Sequence, residues 1–397
     1  MRILKPQNRR KQEMNQVLLQ QENNAAMAIH TFTYGFRVSS ETYFALFDLL
    51  IKKRAAHKTD YFVKYTTTDY RSLGINRIEF TTYDPQSYNP VYYINFTINP
   101  RILTGEYTKL YTRIIEKANL KKLPITVSSV LTKLCNISEN ILNDGKFRRI
   151  DYCCNLWFYD QETAEIYLYL LKQAKIPHRF KVKKYYNQKQ KRSTPETFAI
   201  TISCKSYELS IYLKYPQLQI KNAQGYLDDP QELNNALGQL RIELREQRTK
   251  LLSDKKKCHC TESELLDGTN TRPRETLCKL LKQMYGAGDF LLYSDAREQI
   301  ANSRYSKGVK RKMLNVLYAV KKRHGLDSQK NHLDPDILSG AMPYFNELDI
   351  SPITLSEKKA KYCSEEVFPN PLKYIQGETM DLLADADVLQ VDQLDND

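Results

Sequence analysis

The sequence predicts an α+β fold, in which a mainly antiparallel sheet from two βαβββ-like units is backed by helices and followed by a C-terminal helical region. Three observations favour this fold class. Segments rich in β-branched and aromatic residues alternate polar with apolar positions, a strand–helix–strands order occurs twice, and apolar residues recur at helical spacing near the C-terminus. The 397 residues are enough for two or three domains with buried cores.

The first unit is predicted over residues 28–145, after a disordered polar arm at 1–27. A strand at 30–38 precedes a helix that Ser39 or Ser40 begins as the N-cap, and this helix continues to about residue 54. Further strands are expected at 61–67, 77–83 and 91–98, and further helices at about 105–118 and 127–142.

The second unit is predicted over residues 146–252 and follows the turn residues Asp144-Gly145. Its helix is expected at about 161–174, and a polar, basic hairpin loop at 187–195. The strands are expected at 147–158, 179–185, 197–204, 208–215 and 240–246. The order resembles that of the first unit, and both an internal duplication and a coincidence remain open.

The remainder of the chain is predicted to contain a linker at 253–275, a helical DNA-binding region at 276–355 and an acidic disordered tail at 356–397. An apolar stripe marks one helix of the helical region, and Gly325 is placed to end that helix. The stripe consists of Val309, Met313, Val316, Leu317 and Val320. Lysines and arginines flank it, as is typical both of a solvated face and of a face that contacts phosphates.

Charge and composition narrow the expected partners. The net charge is +14 although the last residues are acidic, so the body of the chain is strongly basic and favours a polyanion such as DNA. The N-terminus lacks the apolar segment of a secretory signal, and no stretch approaches the roughly 18 apolar residues of a membrane span. We therefore expect a cytoplasmic protein with reduced thiols and no membrane partner.

Three predicted strands carry reactive side chains on the face opposite their apolar residues, because side chains on a strand alternate between its faces. Asp151, Cys153 and Asn155 share one face of the first strand. Ser210, Tyr212 and Lys214 share a face of the second, and Arg241, Glu243 and Arg245 share a face of the third. If the strands lie in one sheet, carboxylates, a tyrosine, a lysine and arginines face the same side.

Several reaction classes lack their motifs. The sequence contains no G-x-x-x-x-G-K-[ST] phosphate loop, no dinucleotide fingerprint after a strand, no G-x-S-x-G elbow and no His-x-His pair. What remains is chemistry of carboxylates and a tyrosine on a phosphate ester. A tyrosine that attacks a DNA phosphodiester forms a 5′-phosphotyrosyl bond and releases a 3′-hydroxyl that can prime synthesis.

In this interpretation Asp151 and Glu243 are candidate ligands of a divalent metal, Mg²⁺ or Mn²⁺, because both supply hard oxygen atoms. Lys214 and Arg241, with Arg245, are candidates to neutralise charge on the phosphate. Tyr212 is the favoured nucleophile because it shares the face of Lys214, and Tyr207 and Tyr215 stay open as alternatives. The competing interpretation is that the charged residues form cross-strand ion pairs.

Short ordered motifs carry a family resemblance that spans about residues 30–355. They are Arg148-Arg149-Ile150-Asp151, Ile211-Tyr212-Leu213-Lys214-Tyr215, Leu240-Arg241-Ile242-Glu243 and the segment from Leu348 to Leu355. They resemble the motifs of rolling-circle replication initiators, both the Rep_trans-like proteins of small plasmids and the phage and plasmid proteins of the gene II/X type. The chain departs from the family pattern at Leu213, where an acidic residue is usual, and at Asn155, where some members have an aspartate.

The resemblance implies a protein that nicks origin DNA, double-stranded or single-stranded, and recruits a host helicase and polymerase. It implies Asp151 and Glu243 as metal-site carboxylates and Tyr212 as the nucleophile. We therefore expect a replication initiator of a plasmid or phage, and a homodimer is among its expected states. The alternatives are a conjugative relaxase, a non-catalytic initiator that only binds the origin, and an α+β scaffold protein with a basic surface.

Overall fold

The computed structural model describes residues 27–52, 56–58, 63–65, 70–83, 88–104, 122–135, 145–187, 192–194, 197–225, 227, 231–266, 271–327, 334–362 and 367–376. The arm predicted at 1–27 (except Met27) and the helix predicted at about 105–118 lie outside these residues.

Strands of the described residues belong to one large sheet and two short two-stranded sheets. They are β1 (Ala28–Val38), β2 (Ala56–Lys58), β3 (Val63–Tyr65), β4 (Ile75–Tyr83), β5 (Val91–Ile98), β6 (Lys146–Trp157), β7 (Lys181–Val182), β8 (Tyr185–Asn187), β9 (Arg192–Thr194), β10 (Ala199–Ser203), β11 (Tyr207–Leu213), β12 (Gln239–Gln247), β13 (Phe290–Leu291) and β14 (Val367–Phe368).

Helices lie between these strands and dominate the C-terminal third. They are α1 (Ser40–Lys52), α2 (Pro100–Leu103), α3 (Leu123–Cys135), α4 (Gln161–Leu171), α5 (Lys214–Ala223), α6 (Gln231–Asn234), α7 (Arg248–Cys258), α8 (Arg272–Tyr285), α9 (Tyr293–Asn302), α10 (Lys307–Arg323), α11 (Pro335–Glu347), α12 (Glu357–Ala360) and α13 (Pro371–Gln376). The predicted α+β class, with a mainly antiparallel sheet backed by helices, is confirmed.

The large sheet has ten strands in the order β2-β3-β4-β5-β1-β6-β12-β11-β10-β7, and its neighbouring strands pair antiparallel. The first strands of the two units, β1 and β6, pair at its centre. Outward from each lie that unit's last strand and then the earlier strands in reverse order. The two units thus share one strand order, as an internal duplication predicts, and each has five strands in the sheet, where four were predicted for the first unit and five for the second.

One face of the sheet is apolar and carries the core. In the first unit Phe32, Phe80 and Phe96 are buried on this face, and in the second unit Ile211 and Ile242 are buried on it. Helices α8, α10 and α11 pack their apolar residues against the second unit's side, in the same buried cluster. The predicted stripe is part of this contact, because Met313, Val316, Leu317 and Val320 are buried on α10. The opposite face is polar.

Local signals in the sequence define several helix ends. The Ser39 hydroxyl accepts a hydrogen bond from the Thr42 amide (3.2 Å) at the start of α1. At the start of α4, Asp160 Oδ1 accepts from the Thr163 amide (2.6 Å). Helix α10 ends at Arg323 rather than at Gly325, because His324 itself adopts the left-handed conformation with φ of 57°.

The described parts of the segment predicted as a linker at 253–275, residues 253–266 and 271–275, are structured. They hold the end of α7, a 3₁₀ turn at Ser263–Leu266 and the start of α8. Several of their charges are paired within the protein: Arg272 contacts Glu246 (2.6 Å) and also Asp254, and Lys255 contacts Glu262 (3.0 Å). These ion pairs connect the charge-rich stretch to the rest of the protein.

The segment predicted as a disordered tail at 356–397 is folded in its described parts, residues 356–362 and 367–376. Strand β14 pairs with β13, and Phe368, Leu372 and Ile375 are buried. These apolar residues anchor the segment to the helical region, whereas most of the acidic residues of the tail lie beyond 376, outside the described residues. No helix among the described residues is long and apolar enough to cross a membrane.

Candidate active site

The polar faces of β6, β12 and β11 form three rows of facing residues at the centre of the second unit. The rows are Asn155–Arg241–Tyr212, Cys153–Glu243–Ser210 and Asp151–Arg245–Glu208. Facing residues of antiparallel neighbours share one side of a sheet. The structure therefore brings Asp151, Tyr212, Arg241 and Glu243 together on one face, as their alternation in the sequence predicts.

Helix α5 lies across one end of this polar face and turns it into a cleft of about 670 Å³. The cleft is lined by both units, since β1, β4 and β5 contribute residues beside those of β6, β11 and β12. Its main polar lining residues are His30, Thr31, Arg77, Arg149, Asp151, Glu208, Ser210, Tyr212, Lys221, Glu243 and Arg245. The candidate site is thus built where the two units of the sheet meet.

Tyr212 is 6% exposed, and its hydroxyl donates a hydrogen bond to Glu243 Oε2 (3.1 Å). Burial and the charge of Glu243 raise the pKa of the Tyr212 phenol well above its ordinary value, while Arg241 opposes this shift. The resting tyrosine is therefore protonated and aimed at a carboxylate.

The other two candidate tyrosines do not line the cleft. Tyr207 stacks on Phe180 on the apolar side of the sheet, with ring centroids 6.5 Å apart. Tyr215 lies in the first turn of α5, and it is absent from the cleft lining. Of the three tyrosines, Tyr212 is the one that a substrate in the cleft would meet.

Glu243 also contacts His30, whose Nδ1 lies 3.3 Å from Glu243 Oε2. A bulge causes this contact: the register of β1 on β6 shifts between Ile29 and Thr31, which leaves His30 as an extra residue. On a regular strand His30 would share the apolar face. The sequence analysis missed His30 because strict alternation assigns it to the core.

Burial lowers the pKa of His30 from 6.5 to about 4, against the attraction of Glu243, so the imidazole is neutral at pH 7. For Glu243 burial favours the neutral acid, but the contact with His30 and the charges of Arg245 and Arg241 outweigh it and lower the pKa. Glu243 is therefore an anion that can accept a proton or bind a cation.

Arg245 connects the carboxylates of the site. It contacts Asp151 Oδ1 (2.9 Å), Glu208 Oε1 (2.6 Å) and Glu243 Oε1 (3.4 Å). Arg149 adds a second contact to Asp151 Oδ1 (2.9 Å), and Asp151 is 1% exposed. The cross-strand ion pairs of the competing interpretation are thus present, and they surround the same groups that the catalytic interpretation uses.

Lys214 differs from its predicted position. The strand predicted at 208–215 ends at Leu213, and Lys214 begins α5, because Pro216 cannot donate to the strand ladder and suits the first turn of a helix. The side chain nevertheless stays with the site: it is fully buried, and its Nζ lies 5.7 Å from the centroid of the Tyr212 ring. Burial and the charge of Arg241 lower the pKa of Lys214 well below its ordinary value.

Arg241 is fully buried beside Tyr212 and is oriented by Asn155, whose Oδ1 accepts from Arg241 Nε (2.8 Å). Asn155 thus contacts an arginine rather than a metal ligand. Burial alone lowers the pKa of Arg241, but the neighbouring Tyr212 and Glu243 raise it, so the guanidinium keeps its charge. The row Asn155–Arg241–Tyr212 holds a fixed positive charge next to the phenol.

Within the described part of the chain, no group of three or more His, Cys, Asp or Glu side chains surrounds a common point. Asp151 Oδ2 already accepts from Thr31 (2.6 Å) and Arg245 (3.4 Å). Mg²⁺ is commonly held by only one or two carboxylates together with substrate phosphates. Glu243 and Asp151, both on this face, are the carboxylates that such an ion would use.

Comparisons with known proteins add little to this site. No family model matches the chain, and no curated protein matches it. Among solved structures, it is similar to a rolling circle replication initiator protein from Geobacillus stearothermophilus, with 9% identity and a TM-score of 0.28 over 65% of this chain and 84% of that chain. A likeness at that level carries no functional argument.

Proposed function

We propose that this chain is a DNA strand transferase that nicks origin DNA through Tyr212 and so starts rolling-circle replication of a plasmid or phage. The observation that carries the proposal is the hydrogen bond from the Tyr212 hydroxyl to Glu243 Oε2 (3.1 Å) at a cleft large enough for a nucleotide segment. Strongly basic composition agrees with a DNA substrate.

In the proposed step, the Tyr212 oxygen attacks the phosphorus of a DNA phosphodiester. A bond forms between the tyrosine oxygen and phosphorus, and the bond from phosphorus to the 3′-oxygen breaks. Glu243 accepts the phenolic proton, since it already accepts the hydrogen bond. The departing 3′-oxygen takes a proton from solvent and becomes a 3′-hydroxyl. The reverse reaction rejoins the strand.

Arg241 and Lys214 are the cations beside the attacking oxygen. Arg241 supplies a fixed charge, because Asn155 holds its guanidinium in place. Burial and the charge of Arg241 lower the pKa of Lys214. A phosphate nearby favours its protonated form, so positive charge forms where negative charge develops.

The proposal includes a divalent ion, Mg²⁺ or Mn²⁺, for which Glu243 and Asp151 are the proposed protein ligands, with the remaining ligands from the substrate phosphate and water. When bound, such an ion would supply a Lewis acid for the phosphate. Double-stranded and single-stranded origin DNA are the proposed substrates, and a host helicase and polymerase the proposed later partners. The proposed place of this activity is the cytoplasm, and a homodimer is among the proposed assemblies.

The test uses supercoiled plasmid that carries the DNA flanking the coding sequence, incubated with the full chain and Mg²⁺ or Mn²⁺. A nicked, protein-linked product on a denaturing gel is expected for the wild type and for Tyr207→Phe and Tyr215→Phe. Tyr212→Phe is expected to give the level of the protein-free control. A covalent product that persists in Tyr212→Phe would overturn the assignment of the nucleophile.

A second candidate function is a non-catalytic initiator that only binds the origin. The ion-pair network of Arg245 favours it, because paired carboxylates are also what a purely structural polar face would contain. DNA binding without a covalent product, under both metal conditions, would support this second function. A conjugative relaxase would share the Tyr212 chemistry and differ in the DNA that it recognises.

A further inference from the structure

Three depressions on the surface are neighbours. The candidate active-site cleft shares the lining residue Phe198 with a second groove of about 540 Å³. That groove shares the lining residue Tyr169 with a third depression of about 360 Å³ beside α10. The series runs from the cleft that holds Tyr212 to the C-terminal helical region, and we call it the aromatic track.

Five aromatic side chains line the second and third parts of this track, and they are Phe198, Tyr169, Tyr362, Tyr293 and Tyr318. Tyr318 and Tyr362 are 57% and 60% exposed, so they contribute little to the core. Phe198 and Tyr169 are half-buried where the parts of the track meet. Exposed aromatic rings along one groove are typical of a binding surface rather than of packing.

Cations accompany the rings. Lys359 Nζ lies 4.0 Å from the centroid of the Tyr169 ring, and Lys321 Nζ lies 3.6 Å from that of Tyr293. Lys322 and His324 line the third depression, at the C-terminal end of α10. Ring faces beside ammonium groups match a ligand that alternates flat bases with phosphates.

Acidic residues restrict how such a ligand would lie. Glu162 and Glu165, on the exposed side of α4, line the second groove together with Lys172 and Lys359. Phosphates are repelled by the glutamates and attracted by Lys359, so the backbone of the ligand belongs on the α12 side of the groove. The bases then face Tyr169 and Phe198.

We propose that the aromatic track binds single-stranded DNA that leaves the cleft over Phe198 and continues past Tyr169 to Tyr318. A duplex is excluded as the ligand because its bases are stacked on each other and cannot stack on the rings. The inference rests on the proposed function for its choice of DNA, and it assigns to the helical region a role in holding the strand beside the nick.

The test measures the affinity of the full chain for a fluorescein-labelled oligo-dT of about 16 nucleotides by fluorescence anisotropy, in EDTA so that cleavage does not interfere. The double variant Tyr318→Ala/Tyr362→Ala is expected to bind about tenfold or more weakly, because each stacked base adds about fivefold to a hundredfold. Tyr318→Phe/Tyr362→Phe is expected to keep the wild-type affinity, since a phenyl ring still stacks. Tyr88→Ala, which removes an exposed tyrosine of the first unit outside the track, is the matched control.

A second ligand isolates stacking from charge. An abasic oligonucleotide of the same length keeps the phosphates, so the double alanine variant and the wild type are expected to bind it within about twofold of each other. Lys321→Ala is expected to weaken both oligonucleotides, with Lys256→Ala, on exposed Lys256 in α7, as its control. Unchanged affinity of the double alanine variant for oligo-dT would overturn the track, as would an equal loss of binding to a duplex.

The failure of this inference is distinguishable from the failure of the proposed function. If the wild type forms the covalent product and the double alanine variant binds oligo-dT normally, the track is wrong and the nicking function stands. If no covalent product forms but the variant loses oligo-dT binding, the nicking function is wrong and the track stands.

Discussion

The two units of the sheet have the same strand order but different chemistry on their polar faces. In the first unit the polar rows of β1, β5 and β4 are Thr33–Thr97–Arg77, Gly35–Asn95–Glu79 and Arg37–Tyr93–Thr81. The Thr33 and Thr97 hydroxyls, for example, form a hydrogen bond within this unit (3.2 Å). In the second unit the corresponding rows hold buried carboxylates, arginines and Tyr212.

The difference shows that the strand order alone does not create a site. Both units present a polar face, but in the second unit α5 covers part of it and removes its charges from water. Burial is what shifts the pKa values of Tyr212, Lys214 and His30. The first unit contributes to this site mainly through β1, whose bulge directs His30 towards Glu243.

The largest expected contrast lies between Glu243 on the polar face of the second unit and Glu79 on that of the first. Glu243→Gln removes the proton acceptor of Tyr212 and is expected to slow formation of the covalent DNA product by about 10²–10⁴-fold. Glu79→Gln is expected to leave the rate within about twofold, because Glu79 contacts Arg77 away from the tyrosine. Product formation over time on denaturing gels measures both rates, and equal rates for the two variants would remove the proposed role of Glu243.

The next contrast is in the free energy of unfolding, between substitutions of Asp151 and Glu79. Asp151→Asn removes the buried counter-ion of Arg149 and one of the three carboxylates that Arg245 contacts, and it is expected to lower the free energy of unfolding by about 3–5 kcal/mol. Glu79→Gln breaks a more exposed pair with Arg77 and is expected to cost about 1 kcal/mol or less. Urea denaturation checks both values. A cost for Asp151→Asn as small as that for Glu79→Gln would mean that the network is solvated.

The pH dependence of stability tests the bulge at His30. In the folded chain its pKa is about 4, and the ordinary value is 6.5, so the unfolded chain binds more protons between these values. The free energy of unfolding is therefore expected to fall as the pH drops from about 6.5 to 4, by up to about 3 kcal/mol.

His30→Gln is expected to flatten that slope, whereas His178→Gln, at an exposed position, is expected to keep it. Urea denaturation at a series of pH values provides the comparison. If His30→Gln keeps the slope of the wild type, His30 is not the group that titrates.

The smallest expected effect is on DNA affinity, from a substitution at the rim of the cleft. The Lys183 side chain is 41% exposed and pairs with Glu208 (2.9 Å). Lys183→Ala is expected to weaken DNA binding a few-fold and to reduce the slope of log affinity against log salt by about 1. Lys256→Ala is the control, and salt titrations of DNA affinity measure both. A Lys183→Ala slope equal to that of the wild type would place the DNA away from this rim.

Much of this architecture follows from local patterns in the sequence. Alternation places Asp151, Tyr212 and Glu243 on one face because β6, β11 and β12 are regular strands paired in register. Helical spacing identifies the buried stripe of α10. These predictions succeed because the signal repeats over several residues of one element.

The rest depends on contacts between distant segments. No local signal in the sequence marks the bulge that directs His30 into the site. Glu208 belongs to the ion-pair network of the site because it contacts Arg245 on the next strand. The charged residues of 253–275 suggest a linker when only the sequence is considered. In the structure some of them have ion-pair partners in other segments, such as Glu246 for Arg272. Long-range pairing, rather than local propensity, decides these features.

The central claim is that Tyr212 forms the covalent bond with DNA. The most direct measurement is mass spectrometry of the peptide that remains attached to DNA after nuclease and protease digestion of the nicked complex. The account predicts a single phosphotyrosyl nucleotide on the peptide that contains Tyr212, dependent on Mg²⁺ or Mn²⁺. A nucleotide linked to Tyr207, to Tyr215 or to any other residue would contradict it.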